Sequence, residues 1–230
     1  MIRIENSDFL SNDIADSSID LVVTDPPYKI GGGGCTTIKG GIFDTRINQH
    51  VGAGKMFSHN EITFSDWIPE TYRVLKDGTH AYIMCNGRNI ANLQAEAEKV
   101  GFTFQNLLVW NKGNVTPNRY YMQKCEFILM LRKGKARTIN NPGSNNLLEI
   151  PNIIGKKQHP TEKPVELMKI MIENSSNPGE TILDPFIGAG SSGIAALQLG
   201  RSFIGYEIDK KYYQIASARI DEAERFWGVF

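Results

Sequence analysis

Thr181-Ile182-Leu183-Asp184-Pro185-Phe186-Ile187-Gly188-Ala189-Gly190-Ser191-Ser192-Gly193 is the stretch from which the fold can be read. A short apolar run ends in an acid and a proline. Two glycines then permit a turn that side chains with a Cβ adopt poorly, and an apolar pattern over residues 192–199 begins a helix. Strand, glycine turn and helix in that order hold nucleotide-like ligands at the carboxyl end of a parallel sheet. Glu207 closes the following strand-like run, nineteen residues after Gly188. That spacing suits a carboxylate accepting hydrogen bonds from ribose hydroxyls.

Gly188 to Gly193 also fits G-x-G-x-x-G literally, so a dehydrogenase is one reading. Charge argues against it. A pyrophosphate at the turn would be repelled by Asp184, whereas a sulfonium cation such as that of S-adenosylmethionine would be attracted.

Apolar strand-like runs recur outward from this stretch, at residues 2–4, 19–24, 81–84, 102–110, 127–131, 181–183 and 203–206. Helical patterns cover 64–75, 88–100, 164–175, 192–199 and 212–226. The alternation predicts an α/β fold, a mostly parallel, doubly wound sheet of about seven strands. No helix separates 102–110 from 127–131, so those two strands should form an antiparallel edge hairpin. Residues 1–230 read as a single domain with two irregular segments: a mobile glycine-rich loop at 29–60, and residues 134–158.

The run Ile19-Asp20-Leu21-Val22-Val23 ends in Asp25-Pro26-Pro27-Tyr28. This puts a carboxylate at a strand's carboxyl end, where open α/β sheets bind ligands. The two prolines remove backbone donors, leaving carbonyls as rigid acceptors. Tyr28 offers a ring for stacking. Together they make a site for an amino group on a flat ring.

Composition bounds the alternatives. The 230 residues are 41% hydrophobic and 22% charged, with 25 basic and 25 acidic side chains, as in an ordinary globular chain. A net charge of zero is against a DNA-coating protein. No long apolar run and no basic-then-apolar leader is present, so neither a membrane partner nor secretion is expected, and the location should be cytoplasmic. Cys35, Cys85 and Cys125 are isolated, which offers no disulfide framework and no metal cluster. His50 and His59 lack a third ligand at a sensible spacing, so no metal is expected. Between residues 111 and 137 the bases Lys112, Arg119, Lys124, Arg132, Lys133, Lys135 and Arg137 face a single acid, Glu126, with aromatics interleaved. A phosphate-tracking DNA surface is expected there, with Lys112, Arg119, Lys124, Lys133, Lys135 and Arg137 as contacts. A solvated strand edge guarded by lysines is the competing reading.

D-P-P-Y followed much later by D-P-F-x-G-x-G resembles the DNA amino-methyltransferases, which methylate adenine at its 6-amino group or cytosine at its 4-amino group. The order of the motifs resembles that family's permuted beta group. The resemblance implies the S-adenosylmethionine-dependent methyltransferase fold, that cofactor, and DNA, in duplex form, as partner. It implies a catalytic Asp25, Pro26, Pro27 and Tyr28, with the base swung out of the duplex. It implies cofactor contacts at Asp184, Phe186, Gly188, Gly190 and Glu207, and at Asp8, as acceptor for the cofactor's adenine, with Phe9 beside the ring. His159-Pro160-Thr161-Glu162-Lys163-Pro164 resembles H-x-T-x-K-P, in which Thr161 and Lys163 at a helix start would hold the methionine carboxylate. Adenine is favoured because family members acting on cytosine more often carry Ser where Asp25 stands. Cytosine-N4 methylation and a non-catalytic binding relative stay open, as do a homodimer and a cognate restriction nuclease. The family's recognition region is shortened here to residues 134–158. No Pro-Cys nucleophile is present for methylation at ring carbon 5.

Overall fold

The computed structural model describes residues 1–27, 62–116, 121–155, 157–159 and 162–227. Tyr28, Arg119, Thr161, the loop expected at 29–60 and its histidines lie outside the described residues. The strands are β1 (Ile2–Glu5), β2 (Ile19–Thr24), β3 (Leu75–Cys85), β4 (Phe102–Thr116), β5 (Gln123–Lys133), β6 (Leu147–Glu149), β7 (Thr181–Asp184) and β8 (Ser202–Tyr206). The helices are α1 (Phe64–Val74), α2 (Ile90–Lys99), α3 (Val165–Ser175), α4 (Ser191–Gln198) and α5 (Lys210–Trp227), with a 3-10 turn at Phe9–Ser11.

All eight strands join one sheet in the order β1-β8-β7-β2-β3-β5-β4-β6. The expected seven are present, and β5 pairs antiparallel with β4 and β3 as the missing helix implied. The eighth, β6, lies inside the segment expected to be irregular. Leu147, Leu148 and Glu149 pair in parallel with Val109, Trp110 and Asn111 of β4. Leu148 is buried there, and the Trp110 indole donates to the Ile150 carbonyl at 2.7 Å. Three residues are too few for a periodic signal, so β6 is made by the strand edge it meets.

Strand β2 is buried along its whole length, and alternate side chains feed opposite layers. Leu21 and Val23 pack with Leu167, Ile194 and Ile220 from α3, α4 and α5. Val22 packs with Trp67, Ile68 and Leu93 from α1 and α2. Each such side chain contributes about 1.5–3 kcal/mol by leaving water. This double cover is why β2 reads as a continuous apolar run. One polar residue interrupts it: Asp20 accepts from Lys76 Nζ at 2.6 Å and from the Thr181 amide at 2.9 Å, fastening β3 and β7 to β2.

Strands β2 and β7 are parallel neighbours, with Val22 opposite Leu183. From β7 the chain passes through α4 to β8 on one side. From β2 it passes to β3 on the other. The crevice beyond the carboxyl ends of β2 and β7 is therefore the topological switch point, where such sheets bind ligands. Asp25 and the 185–190 turn both open into it.

Candidate active site

Asp25 is the first residue after β2. Its Oδ2 accepts from Lys163 Nζ at 2.6 Å, and its Oδ1 is buried with no hydrogen-bond partner among the described residues. Lys163 also lies 3.3 Å from Glu126 Oε2, and the other Glu126 oxygen accepts from Lys112 Nζ at 3.1 Å. Four charges of alternating sign thus run from the end of β2 to the hairpin. Burial pushes the Asp25 carboxyl above the ordinary range, against the pull of Lys163. Burial alone would discharge Lys163, but Asp25 and Glu126 outweigh it and hold the ammonium in its charged form. Glu126 is half-buried yet held below the usual carboxylate range, because the two lysines overcome desolvation.

The glycine turn is built from the carboxylate of Asp184. It accepts from Thr24 Oγ1 at 2.7 Å, the Phe186 amide at 3.0 Å and Ser192 Oγ at 2.5 Å. These bonds tie the ends of β2, β7 and α4 together. Burial still raises the Asp184 pKa to about 6. Gly188 and Gly190 have φ of 52° and 83°, the left-handed region that favours glycine. Glu207 reaches back to this turn, accepting from the Gly188 amide at 3.0 Å and the Asp209 amide at 2.9 Å. Its burial raises the carboxyl to about 7 against those two bonds. Phe186 packs edge-on to Trp67 at 5.2 Å.

The 157–164 segment closes the other wall. His159 lies edge-on against Tyr212 at 4.1 Å, and its ring faces Gly188. Burial lowers the His159 pKa to about 4, so it is neutral at pH 7. Buried Glu162 accepts from the Gln158 amide at 2.7 Å and pairs with Arg219 of α5 at 2.9 Å. Arg219 also donates to the Ala189 carbonyl at 2.5 Å. One guanidinium therefore clamps this segment to the glycine turn. Together these walls bound a cleft lined by Asp25, Lys163, Asp184, Phe186, Gly188 and their neighbours.

Asp25, Lys163, Asp184, Phe186, Gly188, Gly190 and Glu207 are thus brought together from four separate parts of the chain. The remaining expected contacts have these surroundings. Phe9 is 1% exposed and packs edge-on to Tyr206 in the core, so it has no free face for a ligand ring. Asp8 accepts from the Leu10 amide at 2.9 Å and caps the 3-10 turn. Asp184, expected to attract a sulfonium, has its oxygens occupied in shaping the turn.

The basic surface is not continuous. Lys112 is buried on Glu126. Lys133 donates to the carbonyls of Tyr72 and Leu75, both at 2.7 Å, and Arg137 pairs with Glu180 at 2.6 Å. Strand β5 also separates the two halves of the run. Phe127 lies beside Cys85 at the carboxyl end of β3, whereas Arg132 lies beside His80, five residues back along that strand. From residue 126 to 133 the chain advances roughly 23 Å. Lys124 and Lys135 are exposed, at opposite ends. Lys112, Lys133 and Arg137 are consequently parts of the fold, not a DNA-facing patch.

Sequence reasoning did not find Glu126, Glu162 or Arg219. Glu126 had a signal, as the single acid in a basic run; Arg219 on a polar helix had none.

Comparison with known proteins adds family evidence. A family model described as DNA methylase matches residues 19–218. Type II methyltransferase M2.DpnII of Streptococcus pneumoniae is 30% identical over 240 residues, covering 96% of this chain and 89% of that protein. Type II methyltransferase M.HpaI of Haemophilus parainfluenzae is 31% identical over 233 residues, covering 90% and 70%. The solved M1.HpyAVI–SAM complex is similar with a TM-score of 0.70 at 29% identity, over 95% of this chain and 100% of that one. PvuII DNA methyltransferase, described as cytosine-N4-specific, shares the fold at a TM-score of 0.70 and 15% identity.

Proposed function

The chain belongs to the DNA methylase family whose model spans residues 19–218, and from that premise we propose that it transfers a methyl group from S-adenosylmethionine to the 6-amino group of adenine in DNA. Asp25 carries the proposal. One of its oxygens is fixed by Lys163, and the other is buried at the switch-point crevice with no hydrogen-bond partner among the described residues. A buried acceptor left open is costly unless a ligand fills it. An amino hydrogen is the ligand that a carboxylate at this place suits.

The cleft fits the cofactor by its polar groups: a glycine turn, Glu207 bonded to that turn, and Asp25 among the lining residues. In this reading Glu207 would accept from the ribose hydroxyls and Lys163 would hold the methionine carboxylate. S-adenosylmethionine supplies a methyl group on a sulfonium, an electrophile toward an amino nitrogen whose lone pair has been freed. Asp25 Oδ1 accepts one amino hydrogen and the Pro26 carbonyl the other. Two such bonds draw the nitrogen out of conjugation with its ring. Asp25 also stabilises the positive charge that grows on that nitrogen, in a site poor in water, and the acidic methylated ammonium then loses one proton to solvent. Pro27 holds the backbone rigid, and Tyr28 stacks on the extruded base. Adenine is preferred because Asp stands at position 25, where cytosine-acting relatives more often carry Ser. Residues 134–158, adjoining the hairpin through β6, serve as the short target-recognition segment. Lys124 and Arg119 contact phosphate at the hairpin.

Incubating the protein with methyl-labelled S-adenosylmethionine and unmethylated duplex DNA, then digesting to nucleosides, tests this. Label in 6-methyladenosine is expected. Label in 4-methylcytosine would keep the site and correct the base, and DNA without label would refute the proposal.

A further inference from the structure

Behind Asp25 and Lys163 the run of charges continues to Glu126 and Lys112, which have no part in the mechanism above. Its geometry is specific: Glu126 gives one oxygen to Lys112 at 3.1 Å and the other to Lys163 at 3.3 Å, and Lys163 gives Asp25 Oδ2 a 2.6 Å bond. Lys112 and Lys163 are 8% and 7% exposed. The hairpin does not need this chain to form. Its ladder extends from Phe102 opposite Lys133 to Asn111 opposite Cys125, and apolar side chains of the same volume would fold at least as well as buried ion pairs. Lys112 and Glu126 sit on one face because Glu126 lies opposite Trp110, two residues from Lys112 on β4. A rigid sheet therefore fixes both members.

Lys163 is held between two carboxylates, so the position and charge of Glu126 bear on where that ammonium sits against Asp25. Lys112 in turn holds Glu126. We infer that Glu126 and Lys112 are positioning residues for the transfer reaction, acting through Lys163 to hold Asp25 with Oδ2 occupied and Oδ1 turned to the target amino group. This inference rests on the proposed amino-group reading of Asp25. It ties the edge hairpin to the reacting centre, so displacement of the hairpin would be felt at Asp25.

Other groups act on this cluster. Asp184 from β7 and Cys85 from β3 are coupled electrostatically to Asp25, with the buried thiol pushed up to about 12. Lys157, Glu162 and His159 from the segment before α3 act on Lys163 or on one another. None bridges Glu126 to Asp25 in the described contacts, which is the property the test exploits.

Glu126→Gln keeps the shape but removes a negative neighbour of Asp25 and the competitor for Lys163. Lys112→Met leaves Glu126 to draw Lys163 away. The two changes should move the Asp25 carboxyl in opposite directions, down for E126Q and up for K112M, by on the order of one pH unit. The double variant should follow E126Q, since Lys112 acts through Glu126. Two readouts are needed: carboxyl ¹³C NMR titration of cofactor-free protein, with the Asp25 resonance assigned by D25N, and the acid limb of the single-turnover methylation rate. Rates in both single variants should fall ~10- to 100-fold as the acceptor loses its alignment. Shifts in the same direction, no shift, or a double variant that sums the two singles would overturn the inference. Should K112M fail to fold, E126Q alone decides by the sign of its shift, with a fall supporting the inference and a rise or no change overturning it. NMR needs no activity, so a protein that never methylates DNA would sink the proposed reaction while leaving the charge chain measured.

Discussion

At Asp25 a strand end, a lysine and an unfilled acceptor meet, and the chemistry assigned to it makes a sharp demand on mutants. Asp25→Ala should lower the single-turnover methylation rate by ~10²–10³-fold and leave S-adenosylmethionine affinity, read by calorimetry, within about threefold. Equal losses in both would remove Asp25 from the catalytic role. Glu207 makes a different prediction. Its carboxyl is raised to about 7 by burial, so at pH 6 it is mostly protonated and a poorer acceptor for ribose hydroxyls. Cofactor affinity should rise about tenfold between pH 6 and pH 8, and Glu207→Gln should flatten that profile. The stability sign is opposite. A carboxyl with a raised folded pKa contributes stability below its unfolded value and loses it as pH rises through 7. Wild type should therefore lose thermal stability relative to E207Q over the same interval, if no cofactor is present. Asp25 and Glu207 were legible in the chain because each terminates an apolar run. Lys163 was legible only as a residue near the cofactor, and its bond to Asp25 was not, because 138 residues separate them.

Among the elements, α5 and the glycine turn depend on each other. Arg219 holds buried Glu162 and the Ala189 carbonyl at once, and removing one partner of a buried pair leaves a charge without compensation. Arg219→Met should destabilise by about 3 kcal/mol in urea titration, with R219M/E162Q recovering part of the loss. A double variant worse than the single would refute the clamp. Gly190 tests the turn itself. A Cβ there would lie 3.3 Å from Ala216 of α5 at a φ of 83°, so Gly190→Ala should cost about 1–3 kcal/mol. Helix boundaries were readable from apolar spacing: Phe64, Trp67, Ile68, Thr71 and Val74 of α1 are its buried face. Strand β6 was not, because its pairing is set by β4 rather than by its own three residues.

Across the whole molecule, the polarity of the sheet decides which charges can serve DNA. The crevice lies at the carboxyl ends of β2 and β7. The 132–137 bases lie toward the other end, three of them already paired with backbone or acid. Lys135→Glu should therefore leave DNA affinity unchanged within about twofold, whereas Lys124→Glu should weaken it and reduce the salt slope by about one. Fluorescence anisotropy across a salt series reads both, and equal effects would restore the continuous basic surface. Among the described residues no helix is long and apolar enough to cross a membrane.

The sequence by itself determined the alternation of strands and helices, the hairpin, the glycine turn and the two acids that end β2 and β8. Those features are written in neighbouring residues, through apolar period, glycine conformation and proline. Tertiary structure alone decided the edge strand β6, the burial of Phe9, the division of the basic run and the chain Lys112–Glu126–Lys163–Asp25. Each of these depends on which distant segments become neighbours, and a contact between residues far apart in the chain leaves no period in either one.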